Sequence, residues 1–210
     1  MSPEPVTPAS ESMAVLEEED RARADLYALH ARLYYRGPDA GVLALIAQAR
    51  EGIAPEIGSP YAVAWRTFAA ASSGADPAAA QQEYDDLFVG TGRAEVSVYA
   101  TYYLAESGRE KIRVGLRSEL AAMGLSRKES SREPEDHIAG LFDVMRHLIG
   151  LGSSDAALHD QRRFFSQYIE PFYAAFCDAV AKGGRAEFYA RVALLTRAFL
   201  DVEREAMKML

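Results

Sequence analysis

The chain has 210 residues, of which 49% are hydrophobic and 26% charged, with a formal net charge of -8. That length suits one domain, because two cores of half the size would each approach the limit below which burial no longer offsets chain entropy. The acidic balance works against nucleic-acid phosphates and anionic lipid surfaces, which excess Lys and Arg would hold, and favours a cationic partner.

Residues 1–12 carry three prolines, three serines and two acids with almost no apolar side chain, which predicts a disordered leader over residues 1–15 and one helical domain over 16–210. No run approaches eighteen apolar residues, and the first fifteen lack a basic stretch followed by an apolar one. Neither a membrane span nor a secretory signal is expected, which places the protein in the cytoplasm.

From Glu17 the pattern turns helical: Leu26, Leu29, Leu33 and Tyr34 share a face, and Gly37 with Pro38 stops the segment. A short helix over 39–50 follows. Ser59 before Pro60 predicts a capped third helix with Tyr61, Ala64, Trp65 and Phe68 on one side, and Asp76 before Pro77 opens a fourth in the same manner. The fourth carries Tyr84, Leu87 and Phe88 and ends at Gly90, Thr91 and Gly92. Val96, Ser97, Val98 and Tyr99 read as an extended segment.

Ile112, Leu116, Leu120 and Met123 repeat at helical intervals over 107–123, and Gly124 closes that run before a polar linker at 126–132. Ile138, Leu141, Phe142, Met145, Leu148 and Ile149 form the cleanest amphipathic stripe. Two helices cover 155–182, with Pro171 marking a start or a bend and Cys177 expected as a half-buried, unreactive thiol. A single cysteine excludes a disulfide framework and a cysteine zinc site. Phe188, Val192, Leu195, Phe199 and Val202 line the last helix. Nine or ten helical segments, no alternating pattern and no fixed-period repeat give an all-α class, in a single compact domain.

Chemistry-bearing motifs are sparse. Gly90, Thr91 and Gly92 follow a helix instead of a strand and lack both the third glycine of a dinucleotide loop and a Gly-Lys-Ser/Thr ending, so they read as a helix stop. His30, His137, His147 and His159 form no His-Glu-x-x-His pair, and no Gly-x-Ser-x-Gly elbow occurs. No catalytic residue, metal or cofactor is therefore assigned, and the chain reads as a non-enzyme. The doublet Asp136-His137 is similar to the pair used by metal-dependent phosphohydrolases, but in reversed order and without the further metal ligands. That enzyme class stands as the alternative.

Two stretches each carry a structural explanation. Glu133, Pro134, Glu135 and Asp136 suit the start of the following helix, with Pro at its first position and acids at the positive end of its dipole. A protonated imidazole is disfavoured there, so His137 is expected neutral and hydrogen-bonded. In Glu83, Tyr84, Asp85, Asp86, Leu87 and Phe88 the apolar members read as core and the acids as solvated.

Together, in this order, the stretches resemble the signatures of the TorD/DmsD family, cytoplasmic chaperones that assist maturation of molybdenum-containing redox enzymes exported by the twin-arginine pathway. Tyr84, Asp85, Asp86, Leu87 and Phe88 match its aromatic-x-x-Leu-Phe motif, and Glu133, Pro134, Glu135, Asp136 and His137 match its Glu-Pro-x-Asp-His motif. Phe164, Phe165, Ile169, Glu170, Pro171 and Phe172 are similar to a later passage, and the resemblance spans roughly 84–200. Val98, Tyr168 and Phe172 depart from the family's usual Pro, His and Trp, which bears on peptide specificity.

The resemblance implies binding of the twin-arginine signal peptide, the body, or both, of a molybdopterin-containing oxidoreductase until cofactor insertion is complete. It implies an apolar wall of Tyr84, Leu87, Phe88, Tyr99 and Tyr103, and a polar end at Asp136 and His137. Glu133, beside Pro134, either contacts the peptide or caps the helix. A related branch serves a nitrate-reductase-type subunit that is not exported, a second alternative. The expected state is a monomer or a domain-swapped dimer.

Overall fold

A computed structural model describes residues 17–49, 58–90, 94–126 and 133–210. The predicted leader lies outside them, as do residues 127–132 of the predicted linker and the pair Thr91 and Gly92. Among these residues ten α-helices follow one another: α1 (Glu18–Arg36), α2 (Ala40–Gln48), α3 (Pro60–Gly74), α4 (Pro77–Tyr84), α5 (Ala100–Leu104), α6 (Arg109–Ala122), α7 (Ile138–Gly150), α8 (Asp155–Tyr168), α9 (Glu170–Ala181) and α10 (Phe188–Met209). Among the described residues there is no strand, only an isolated antiparallel bridge between Tyr99 and His137. The all-α class expected from the periodicity is the class observed.

Local chemistry explains most of the helix ends. Ser59 and Asp76 accept from the amides of Ala62 and Ala78, as the Ser-Pro and Asp-Pro pairs predict, and Asp39 and Ser154 cap α2 and α8 in the same way. Gly37 ends α1 at φ 73, and a Cβ there would lie 2.7 Å from the Gln81 side-chain oxygen. Only glycine meets both the left-handed backbone and the close approach of α4. Beyond Tyr84 the chain adds a π-helical turn, Asp85–Val89, closed by the Gly90 amide donating to the Asp85 carbonyl at 2.8 Å.

The buried apolar side chains form one contiguous cluster drawing on all ten helices. Helix α1 packs chiefly on α7, while α10 packs on α9 and α3. Tyr27, Tyr34 and Phe142 meet where α1 crosses α7, and Phe176, Tyr189 and Phe199 bring α9 and α10 onto them. Cys177 proves fully buried instead of half-buried, and burial pushes its thiol well up. Val202, expected on the inner face of α10, is exposed.

Two acids, one buried and one half-buried, tie distant elements together. Glu203 on α10 is 2% exposed and accepts from Arg23 Nε (2.9 Å), Arg23 Nη2 (3.0 Å) and Tyr27 Oη (3.1 Å), all on α1. Glu83 was expected to face water. It instead accepts from the amides of Glu187 (2.8 Å), Phe188 (3.0 Å) and Tyr189 (2.7 Å). Helix α10 has no side-chain cap of its own, so Glu83 supplies one from the far side of the sequence and meets the positive end of its dipole.

Candidate functional site

The segment preceding α7 departs from its expected form. Pro134 does not open the helix and no acid occupies the first turn; α7 begins at Ile138, and His137 is the residue that caps it. Residues 133–137 instead form a turn, in which the His137 amide donates to the Pro134 carbonyl at 3.1 Å. Imidazole Nδ1 accepts from the Ala139 amide at 3.2 Å, so in the neutral ring the proton resides on Nε2. The expectation of a neutral, hydrogen-bonded His137 is met: burial lowers its pKa, against the opposing pull of Glu133 and Asp136.

The extended segment 96–99 fastens this turn to the fold. The Ala100 amide donates to the Asp136 carbonyl (2.8 Å) and the Ile138 amide to the Val98 carbonyl (2.9 Å), which makes the Tyr99 to His137 bridge. Thr101 Oγ1 donates to Asp136 Oδ2 at 2.5 Å, and both side chains are buried. Tyr99 Oη donates to Glu133 Oε2 at 2.8 Å while its ring stands edge-on to His137. Burial, with that carboxylate, pushes the Tyr99 phenol up to about 12. Glu135 takes a two-point contact from Arg117 of α6, at 2.9 and 3.2 Å.

Beside the turn runs a groove of about 890 Å³ between the outer faces of α1, α6 and α7. Tyr35 and His137 meet at one end, their rings 6.0 Å apart, and Ala24 and Leu151 line the other. Its apolar surface comes from Tyr35, Leu120, Leu125, Val144 and Leu151, and its polar surface from Glu133, Glu135, Asp143, Arg146 and His147.

Of the nine site residues expected from the sequence, Glu133, Pro134 and His137 line this groove. Tyr99 supports it through its contacts with Glu133 and His137. Asp136 lies behind it, 1% exposed. Tyr84, Leu87 and Phe88, expected on the apolar wall, are buried in the core and are not among the residues lining this groove. Tyr84 Oη donates to the carbonyls of Tyr34 (3.2 Å) and Tyr35 (2.7 Å), holding the end of α1, and Phe88 packs among Tyr34, Tyr84 and Tyr189. Tyr103 turns toward α9, stacked on Phe172 and bonded to the Ser97 carbonyl.

The apolar residues that do line the groove escaped the sequence reading. Val144 lies off the apolar stripe of α7, and Tyr35 and Leu151 are exposed apolar residues beside helix ends, a signal too common to single out. Among the described residues no group of three or more His, Cys, Asp and Glu side chains is placed to hold a metal, and no helix is long and apolar enough to cross a membrane.

Residues 54–178 match the model of a protein family described as nitrate reductase delta subunit, which takes in the TorD-like chaperones. The chain belongs to this family. The match reaches upstream of Tyr84 and contains all nine expected site residues, while α1, α2 and the whole of α10 lie outside it. Among related proteins, the chaperone protein TorD of Vibrio cholerae serotype O1 (strain M66-2) is 27% identical over 134 residues, 60% of each chain. The chaperone protein TorD of Aliivibrio fischeri is 25% identical over 130 residues, 58% of this chain and 60% of its own. The chain thus spans about 60% of the length of the curated relatives it matches.

Proposed function

We propose that the protein is a maturation chaperone of a molybdopterin-containing oxidoreductase, acting in the cytoplasm by binding the enzyme's twin-arginine signal peptide, or its apo form, until the cofactor is in place. Membership of the TorD-like family supports the chaperone role. The observation that carries the peptide-binding part is the groove at the Glu133 to His137 turn, which combines an apolar wall with a cluster of acids. A twin-arginine peptide presents two guanidinium groups that pair with carboxylates, and an apolar stretch that fits between helices. Glu133, Pro134 and His137 are the binding residues on the groove; Tyr99 and Asp136 hold them in place, and Tyr84, Leu87, Phe88 and Tyr103 act from the core behind.

No catalytic step enters this reading. His137 Nδ1 caps α7 and the Asp136 carboxylate is engaged by Thr101, so the doublet serves the fold and the groove in place of a phosphohydrolase centre. Isothermal titration with a synthetic twin-arginine peptide tests the proposal: saturable binding is expected, and equal affinity for a peptide with scrambled arginines and apolar stretch overturns it. The family's description favours a second reading, a client of nitrate-reductase type that carries no export signal. Pull-down with full-length and signal-less client separates the two, since a client of the second kind is retained equally in both forms.

A further inference from the structure

The strongest unexplained pair in the molecule is His137 and Gly140, three residues apart on the groove side of α7. His137 is 5% exposed and lines the groove. Its Nδ1 is occupied by the Ala139 amide, which leaves an N–H on Nε2 that meets no acceptor among the described residues. His137 lines the groove, so this N–H is a donor available to an acceptor that enters it.

Gly140 lines the same groove. Its φ is not positive, so the backbone does not require glycine, and among the described residues a Cβ added there would meet nothing nearer than the Glu135 carbonyl at 3.7 Å, an ordinary contact. Within a helix, glycine is about 1 kcal/mol less favourable than alanine. Neither conformation nor internal packing accounts for it. What glycine supplies at this position is space over the helix surface, one turn from the unanswered donor.

We infer that the groove reads the main chain of its ligand: an extended peptide segment crosses α7 at Gly140, with one backbone carbonyl accepting from His137 Nε2. A neutral donor cannot hold a guanidinium, which has only donors of its own, so His137 does not read the arginines. A ligand carboxylate is the other possible acceptor, and the acids lining this groove on a chain of charge -8 oppose it. Recognition of this kind holds any peptide backbone laid in register, and side-chain choice falls to the acids and apolar wall.

The inference rests on the peptide-binding reading, and one titration series separates them. The probe is the synthetic twin-arginine peptide, measured against the full chain, Gly140→Leu and His137→Ser. Leucine at 140 is expected to raise the melting temperature while weakening binding at least ten-fold. Serine at 137 retains a cap oxygen for the Ala139 amide but, being shorter, places no donor where imidazole Nε2 stood, and binding is expected to fall roughly three- to ten-fold. If the wild-type chain does not bind, the peptide-binding reading fails and this inference with it. If the wild type binds and Gly140→Leu binds equally well, the main-chain reading alone is overturned, whatever His137→Ser does to folding.

Discussion

Thr101 and Asp136 share a short hydrogen bond inside the protein, 2.5 Å from Oγ1 to Oδ2, which joins α5 to the turn that delivers His137 to the groove. The other carboxylate oxygen, Oδ1, is buried without a hydrogen-bond partner among the described residues. Among the described residues Thr101 is therefore the one side-chain donor fixing this acid. Thr101→Val keeps the shape and removes the donor, with an expected loss of about 2–3 kcal/mol in urea unfolding. Asp136→Ala is expected to reduce stability and peptide affinity together, unlike Gly140→Leu, because Asp136 acts on the groove through the turn.

Acid lability is predicted for His30. Its Nδ1 lies 2.7 Å from the Leu26 carbonyl, its ring stacks on Phe199, and burial lowers its pKa to about 4. The folded state therefore prefers the neutral ring, while the unfolded chain takes up a proton near the ordinary 6.5. The contribution is fully present above pH 6.5 and is lost as pH falls toward 4, about 3 kcal/mol in all. His137, shifted the same way, adds to it. Unfolding of His30→Met followed between pH 7 and 4 is expected to show a visibly flatter profile than the wild type; parallel profiles exclude this role.

Glu83 is the cap of α10, and Glu83→Ala leaves three amides of that helix without their acceptor. A loss of about 1–2 kcal/mol is expected. Hydrogen exchange resolves the mechanism, since protection should fall first at residues 187–189 and not at the exposed end of α4.

Glu203→Gln tests the other long-range acid. The amide keeps one acceptor but loses the charge facing Arg23, and its amino group confronts donors from Arg23 or Tyr27. Because Arg23 is partly exposed, its own guanidinium rehydrates, and the expected cost is about 2 kcal/mol, below that of a fully buried pair. Double-mutant cycles with Arg23→Met measure the coupling.

Helix order and most boundaries were legible because they depend on neighbours in sequence: Ser59 and Asp76 cap the helices their prolines open, and Gly37 stops α1. The turn at Glu133 was misread for a physical reason. Pro134 and its acids satisfy every local rule for a helix start, yet pairing of Val98 and Ala100 with the turn spends the backbone bonds that a helix would need. Glu83 and Tyr84 were opaque likewise, since their partners lie 104 and 49 residues away. At the candidate site, the motif residues were visible as letters. Whether each faced the groove or the core depended on α1 and α6, whose contribution no local pattern contains.

The hydrogen bonds from Arg23 to Glu203 span 180 positions of the chain. Closing so wide a loop is slow relative to forming any one helix, because the entropy of joining the ends is lost before the contact forms. During synthesis α1 leaves the ribosome long before α10 exists, and until residues 188–209 arrive Phe68 lacks its contact with Phe188 and Tyr34 its contact with Tyr189. A protein proposed to shield a partner that is not yet finished thus passes through an unshielded interval of its own, ended only when its last described helix docks.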